Sequence, residues 1–152
     1  MELVYRRATP ADADTLARLR VEFVRIVKDS GIPDEAEYER ALSRYFRRGL
    51  LRLTLAAWLC LDGDEAVASM ALRIDRGVRG YVMSVYTRPA YRRRGIASRL
   101  LALLIEEAKG RKLERLSLHP TIDGLPLYLR FGFTPFRTMM ILRLAPEKGR
   151  AS

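Results

Sequence analysis

The run Arg92-Arg93-Arg94-Gly95-Ile96-Ala97-Ser98 points most directly to chemistry. It follows a strand-like segment ending Val85-Tyr86-Thr87 and precedes a Leu-rich helical pattern, so it is a loop that opens a helix. A helix N-terminus carries free N–H groups and a partial positive charge. A diphosphate placed there accepts several hydrogen bonds at once. Gly95 has no Cβ to hold phosphates away, Ala97 is small enough to keep the approach open, and Ser98 adds a hydroxyl in the first turn. Two further residues have acid–base chemistry. Tyr128 carries a phenol that stays protonated at neutral pH, as an acid must. His119, the single histidine, is the natural type of base near neutrality, although a lone His before Pro120 is also an ordinary loop or cap residue.

Arg92-x-x-Gly95-x-Ala97, after a strand and before a Leu-rich helix, resembles the acetyl-CoA signature of the GNAT superfamily of N-acetyltransferases, usually written Q/R-x-x-G-x-G/A. Leu127-Tyr128-Leu129-Arg130-Phe131-Gly132-Phe133 resembles that family's downstream L-Y-x-x-x-G-F element. The two motifs flank one helix and one strand in the family's order, and the resemblance runs from Val4-Tyr5-Arg6-Arg7-Ala8 to the last strand. It implies acetyl-CoA as co-substrate, with the amides of Arg93, Gly95, Ala97 and Ser98 facing its pyrophosphate. Arg92, Arg94 and Ile96 complete that loop, and the arginines supply charge toward the outlying ribose phosphate. Val85, Tyr86 and Thr87 would hold the pantetheine arm by strand-like hydrogen bonds, beside a neighbouring strand that splays away. Tyr128 would stand by the sulfur and protonate the coenzyme A thiolate while a primary amine attacks in a ternary complex. The general base stays open between His119 and the helical carboxylates Glu22, Glu35, Glu37 and Glu39, whose ordinary role is to face solvent. Two positions depart from the family pattern: Thr121 stands where many relatives carry Asn, and Gly124 where they often carry Ala.

The elements that must position these groups can be read from period and punctuation. Residues 2–7 predict a strand. Thr9 and Pro10 open a helix with Leu16, Leu19, Phe23, Ile26 and Val27 at helical spacing. Pro33 opens a second helix that Arg47-Arg48-Gly49 is expected to end. Strands are expected at 52–61, 65–74 and 79–87, separated by Asp62-Gly63 and Asp75-Arg76-Gly77. A helix over 95–109, a strand over 113–119, a short helix over 123–131 and one bent strand over 133–144 follow. The order β-α-α-β-β-β-α-β-α-β predicts a single α/β (α+β) domain over 1–146 with a mixed sheet and a right-handed parallel crossover through the long helix, and the family resemblance implies that the sheet is mostly antiparallel with one central splayed parallel pair. Residues 147–152 read as a tail.

Composition limits the rest. One domain's worth of chain with 49% hydrophobic residues reads as globular. The absence of a long apolar run or signal pattern predicts a cytoplasmic protein with no membrane partner. One His, one Cys and no clustered ligand spacing support no metal site. The net charge of +10 fits an anionic ligand or a nucleic acid. No helix-turn-helix or stacking platform supports the latter, and a non-catalytic acyl-CoA sensor would have no need of Tyr128. The acceptor is expected to be a small-molecule or peptide amine. A homodimer is compatible with the family, but no sequence feature fixes one.

Overall fold

The computed structural model describes residues 2–144. Strand β1 (Leu3–Arg7) leads through a 3₁₀ turn at Pro10–Asp12 into α1 (Ala13–Val27). Asp12 ties the start together: its carboxylate accepts the Thr9 backbone N–H at 2.7 Å and both arms of the Arg6 guanidinium at 2.8 Å. Helix α2 (Glu35–Arg52) starts at Asp34, whose side chain accepts the Glu37 N–H at 3.2 Å. It does not stop at Gly49, as the sequence suggests, but runs on to Leu53, the left-handed residue that caps it. Gly49 is there for contact, since a Cβ would lie 2.7 Å from Leu55 Cβ.

Next come β2 (Leu55–Asp62), β3 (Glu65–Asp75), β4 (Arg79–Thr87), α3 (Ile96–Gly110), β5 (Arg115–Leu118) and α4 (Leu125–Arg130). The expected bent strand over 133–144 is two strands, β6 (Thr134–Phe136) and β7 (Met139–Arg143), paired antiparallel across a turn at Arg137 with φ 58°. The chain order therefore gains one strand. The sheet order is β1-β2-β3-β4-β5-β7-β6, antiparallel except for β4 and β5. The tail expected at 147–152 lies outside the described residues.

The sheet is a middle layer. One face is covered by α3, whose Ile96, Leu100, Leu101, Leu104, Ile105 and Ala108 are buried at helical spacing. The other face, over β2–β4, is covered by α1 and α2 through Leu16, Leu19, Phe46 and Leu50. Among the described residues no helix is long and apolar enough to cross a membrane.

Two irregularities of β4 matter for the site. It pairs with β5 only at Arg79↔Arg115, Gly80↔Leu116 and Tyr81↔Ser117, then continues through residues 82–87 without that neighbour. On its other edge Ser69↔Tyr86 is followed by Ala71↔Met83, so β4 carries one extra residue. Ser84 sits in this bulge with φ 51°, a conformation that costs a non-glycine residue energy and bends the strand.

Candidate active site

Where β4 and β5 part, the β5-facing edge of residues 82–87 presents backbone groups of an extended strand. That edge leads through the 3₁₀ turn Pro89–Tyr91 into the N-terminus of α3. Val85, Tyr86 and Thr87 lie on it and residues 92–98 form the loop and first turn beyond, so the structure joins the two expected groups in one groove. Val85 packs toward α3, whereas the Tyr86 ring goes to the α1 side. There its hydroxyl donates to Glu22 at 3.4 Å, and burial followed by that carboxylate raises its pKa. Only the backbone of Tyr86 can therefore serve the groove.

In the loop, Arg93 (φ 64°) and Gly95 (φ 75°) are both left-handed. Such alternation curls successive N–H groups toward one concave side. Nothing lies within 4 Å of where a Gly95 Cβ would be, so space is open in front of it. Arg92 is tied back to the Thr87 carbonyl by Nε at 3.1 Å, and the Arg94 guanidinium stacks over Tyr91 at 5.2 Å. Tyr91 in turn donates to Asp62. Ala97 and Ser98 are part-buried in the first turn of α3, behind the buried Ile96. The Ser98 hydroxyl accepts from Arg130 Nη2 at 3.3 Å, which couples α4 to the start of α3.

Tyr128 is 5% exposed and meets Phe133 edge-on at 5.7 Å. Burial alone pushes its phenol up to about 12. Gly124 explains one departure from the family pattern, because a Cβ there would come within 3.0 Å of the Tyr128 ring. Thr121 explains the other: its Oγ1 accepts the Gly124 N–H at 3.2 Å, capping the turn into α4.

His119 follows β5 and is exposed, with Nδ1 2.6 Å from the Tyr81 hydroxyl. The Tyr81 ring lies 4.8 Å under the Arg73 guanidinium, itself held bidentately by Asp75. Tyr81 was not anticipated from the sequence, because its meeting with His119 depends on the parallel β4–β5 register. Ser84 was also missed: its hydroxyl is buried with no hydrogen-bond partner at the mouth of the splay. Positive φ at a non-glycine residue leaves no local sequence signal.

Three of the helical carboxylates are engaged elsewhere. Glu22 is bound by Arg88 at 2.9 and 3.0 Å, a contact that raises the Arg88 pKa. Arg25 holds Glu35, and Arg44 and Arg40 hold Glu37, keeping both carboxyls below their usual range. Glu39 lines a concavity of about 610 Å³ between α1 and α2, with Asp14 and Ser43. A second concavity, of about 630 Å³, lies among Arg6, Asp12, Asp62 and Arg88. Neither is lined by the 92–98 loop, Tyr128 or His119.

Comparison with known proteins agrees with this geometry. An uncharacterized N-acetyltransferase, YedL, of Escherichia coli (strain K12) is 34% identical over 99 residues, 62% of each chain. This chain thus spans about 62% of that curated relative's length. A predicted acetyltransferase from Clostridium acetobutylicum, crystallised with acetyl-CoA, superposes with a TM-score of 0.77 at 29% identity, covering 90% of this chain and 92% of its own. A GCN5-related N-acetyltransferase from Ralstonia eutropha JMP134 shares the fold at a TM-score of 0.75 and 22% identity, with 97% and 100% covered. Residues 21–133, which hold the β4 edge, the 92–98 loop, His119 and Tyr128, match the family described as Acetyltransferase (GNAT) family, and the chain belongs to that family.

Proposed function

We propose that the protein transfers an acetyl group from acetyl-CoA to a primary amine within a ternary complex. The observation that carries this reading is the β4 edge over residues 82–87, left without a strand partner and running directly into the N-terminus of α3. The residues fit the donor. The left-handed pair Arg93 and Gly95, with open space before Gly95, makes a concave set of amides for a diphosphate. The edge at Val85, Tyr86 and Thr87 suits an amide-bearing arm. Acetyl-CoA, when bound, supplies an activated thioester carbonyl and a sulfur leaving group.

The chain's own residues then divide the proton work. With Nδ1–H donating to the Tyr81 hydroxyl oxygen, the other His119 ring nitrogen keeps a lone pair with which to take the amine proton, directly or through water. The nitrogen–carbon bond forms as the carbon–sulfur bond breaks, and the electron pair leaves on sulfur. Tyr128 faces that charge as a hydrogen-bond donor. With its phenol near 12, complete proton transfer to a thiolate of pKa about 8.5 is uphill. Tyr128 therefore stabilises the leaving sulfur by a charge-assisted hydrogen bond rather than by giving up its proton.

The test is calorimetric titration with acetyl-CoA, with Arg93→Glu/Gly95→Glu beside the unaltered protein. The double change sets carboxylates where the diphosphate belongs. A micromolar dissociation constant weakened at least about 100-fold, roughly 3 kcal/mol, is expected. A folded protein that binds no acetyl-CoA would sink the reading.

A further inference from the structure

Three arginines stand in register on the sheet face away from α3. Arg79 is paired with Arg115 across β4 and β5, and Arg115 with Arg143 across β5 and β7. Their neighbours Leu116 and Leu142 pack into the α3 core. The alternation of strand side chains puts Arg79, Arg115 and Arg143 on the opposite face, together with Tyr81 and Ser117 in the next row. Adjacent strands are about 4.8 Å apart, and like charges placed directly opposite destabilise a sheet. Asp75 is the acid in this row, opposite Arg79, but both its oxygens are engaged by Arg73. Among the described residues neither Arg79 nor Arg115 has an ion pair or hydrogen bond, although Arg79 is exposed and Arg115 half-exposed. The row begins two residues from Tyr81 and four from His119, on the side where those groups meet.

We infer that Arg79 and Arg115, flanked by Arg143, recognise an anionic group on the acceptor, so that the acceptor is an amine carrying a carboxylate; this rests on the transferase reading above. Repulsion between the arginines is relieved when a carboxylate bridges them, and Arg binds a carboxylate bidentately. The reach favours a peptide. Strand rise separates the row from Tyr81 by about 7 Å and from His119 by about 13 Å, less what the arginine side chains span. In an extended peptide, at about 3.3–3.6 Å per residue, an acidic side chain one or two residues from the amino terminus covers that gap.

The test compares binding of Ser-Asp-Glu-Gly with its isostere Ser-Asn-Gln-Gly, and of glutamate with glutamine, by calorimetry. Each is run on the unaltered protein, on Arg79→Glu/Arg115→Glu and on the milder Arg79→Gln/Arg115→Gln, which keeps the test alive if charge reversal unfolds the chain. About tenfold tighter binding of the acidic peptide than of its amide twin, lost in both variants, is expected. A preference carried by glutamate over glutamine instead, lost in the same way, supports the inference with a small acceptor. Equal binding of the acid and amide partners, no binding of any acid, or a preference that survives both variants overturns it. So does a DNA duplex that binds through the same two arginines while the peptides are not distinguished. Acetyl-CoA is titrated onto each protein in parallel: its binding is expected to be unchanged by these variants, and its absence from the unaltered protein would remove the transferase reading instead.

Discussion

Tyr128 and His119 are proposed to serve opposite ends of the proton transfer, and their removal should read differently. Tyr128 is buried against Phe133 with its phenol raised to about 12, so it remains a donor across the whole working range. Tyr128→Phe removes one hydrogen bond to a developing charge, worth about 1.5–3 kcal/mol. We therefore expect kcat to fall about 10–100-fold by the same factor at every pH from 6 to 10. The proposed role requires a proton on Tyr128, so the limb it would own is a loss of rate as pH rises through about 12. A limb below pH 10 that disappears in the variant would contradict this assignment. In the proposed mechanism, His119→Gln removes the proton acceptor that Tyr81 orients. Its kcat/KM should fall about 100-fold at neutral pH and recover as pH rises, because the amine then arrives already deprotonated. Tyr128 and His119 were legible in the sequence as residue types with chemistry. Tyr81 was not, because the partner that gives it meaning is 38 residues away along the chain.

At the scale of elements, the groove depends on how tightly β4 and β5 are joined at their root. Gly80 sits in the middle of their short pairing, where a Cβ would come within 2.6 Å of Leu72 Cδ1 and 2.7 Å of Leu116 Cδ2. Both leucines are fully buried, so neither tip can move far. Gly80→Ala should cost about 1–3 kcal/mol in chemical denaturation. It should also raise the KM for acetyl-CoA by forcing the strands apart where the splay begins. A stable variant with unchanged KM would mean that the root does not set the groove's width. The helices and the three-strand meander were readable because apolar period and Asp-Gly turns are local signals. Gly49 misled for a physical reason: a glycine needed for close approach to Leu55 looks the same in sequence as one that ends a helix. The separation of β6 from β7 was hidden because Arg137, not glycine, adopts the left-handed turn. The splay itself is a non-local register and leaves no mark on either strand alone.

Over the whole molecule, the sheet divides the work between its two faces. The α3 side carries the amide loop and Tyr128, while the opposite side carries Tyr81, His119 and the arginine row. The gap between β4 and β5 lies between them, so under the proposed reading donor and acceptor can be present together without competing for the same wall. Two side chains that a covalent route could use are badly placed. Cys60 is fully buried in β2, and burial raises its thiol pKa, which keeps it protonated. The Ser84 hydroxyl has no hydrogen-bond partner and hence no base. If the amine attacks directly, as proposed, initial rates with both substrates varied should give intersecting reciprocal lines. Cys60→Ala should keep kcat within about twofold, because the loss of a buried thiol costs stability of about 1 kcal/mol and not chemistry. Parallel lines, with radioactive acetyl retained on the protein after removal of coenzyme A, would instead require an acylated side chain. The division of labour between the two faces would then have to be abandoned.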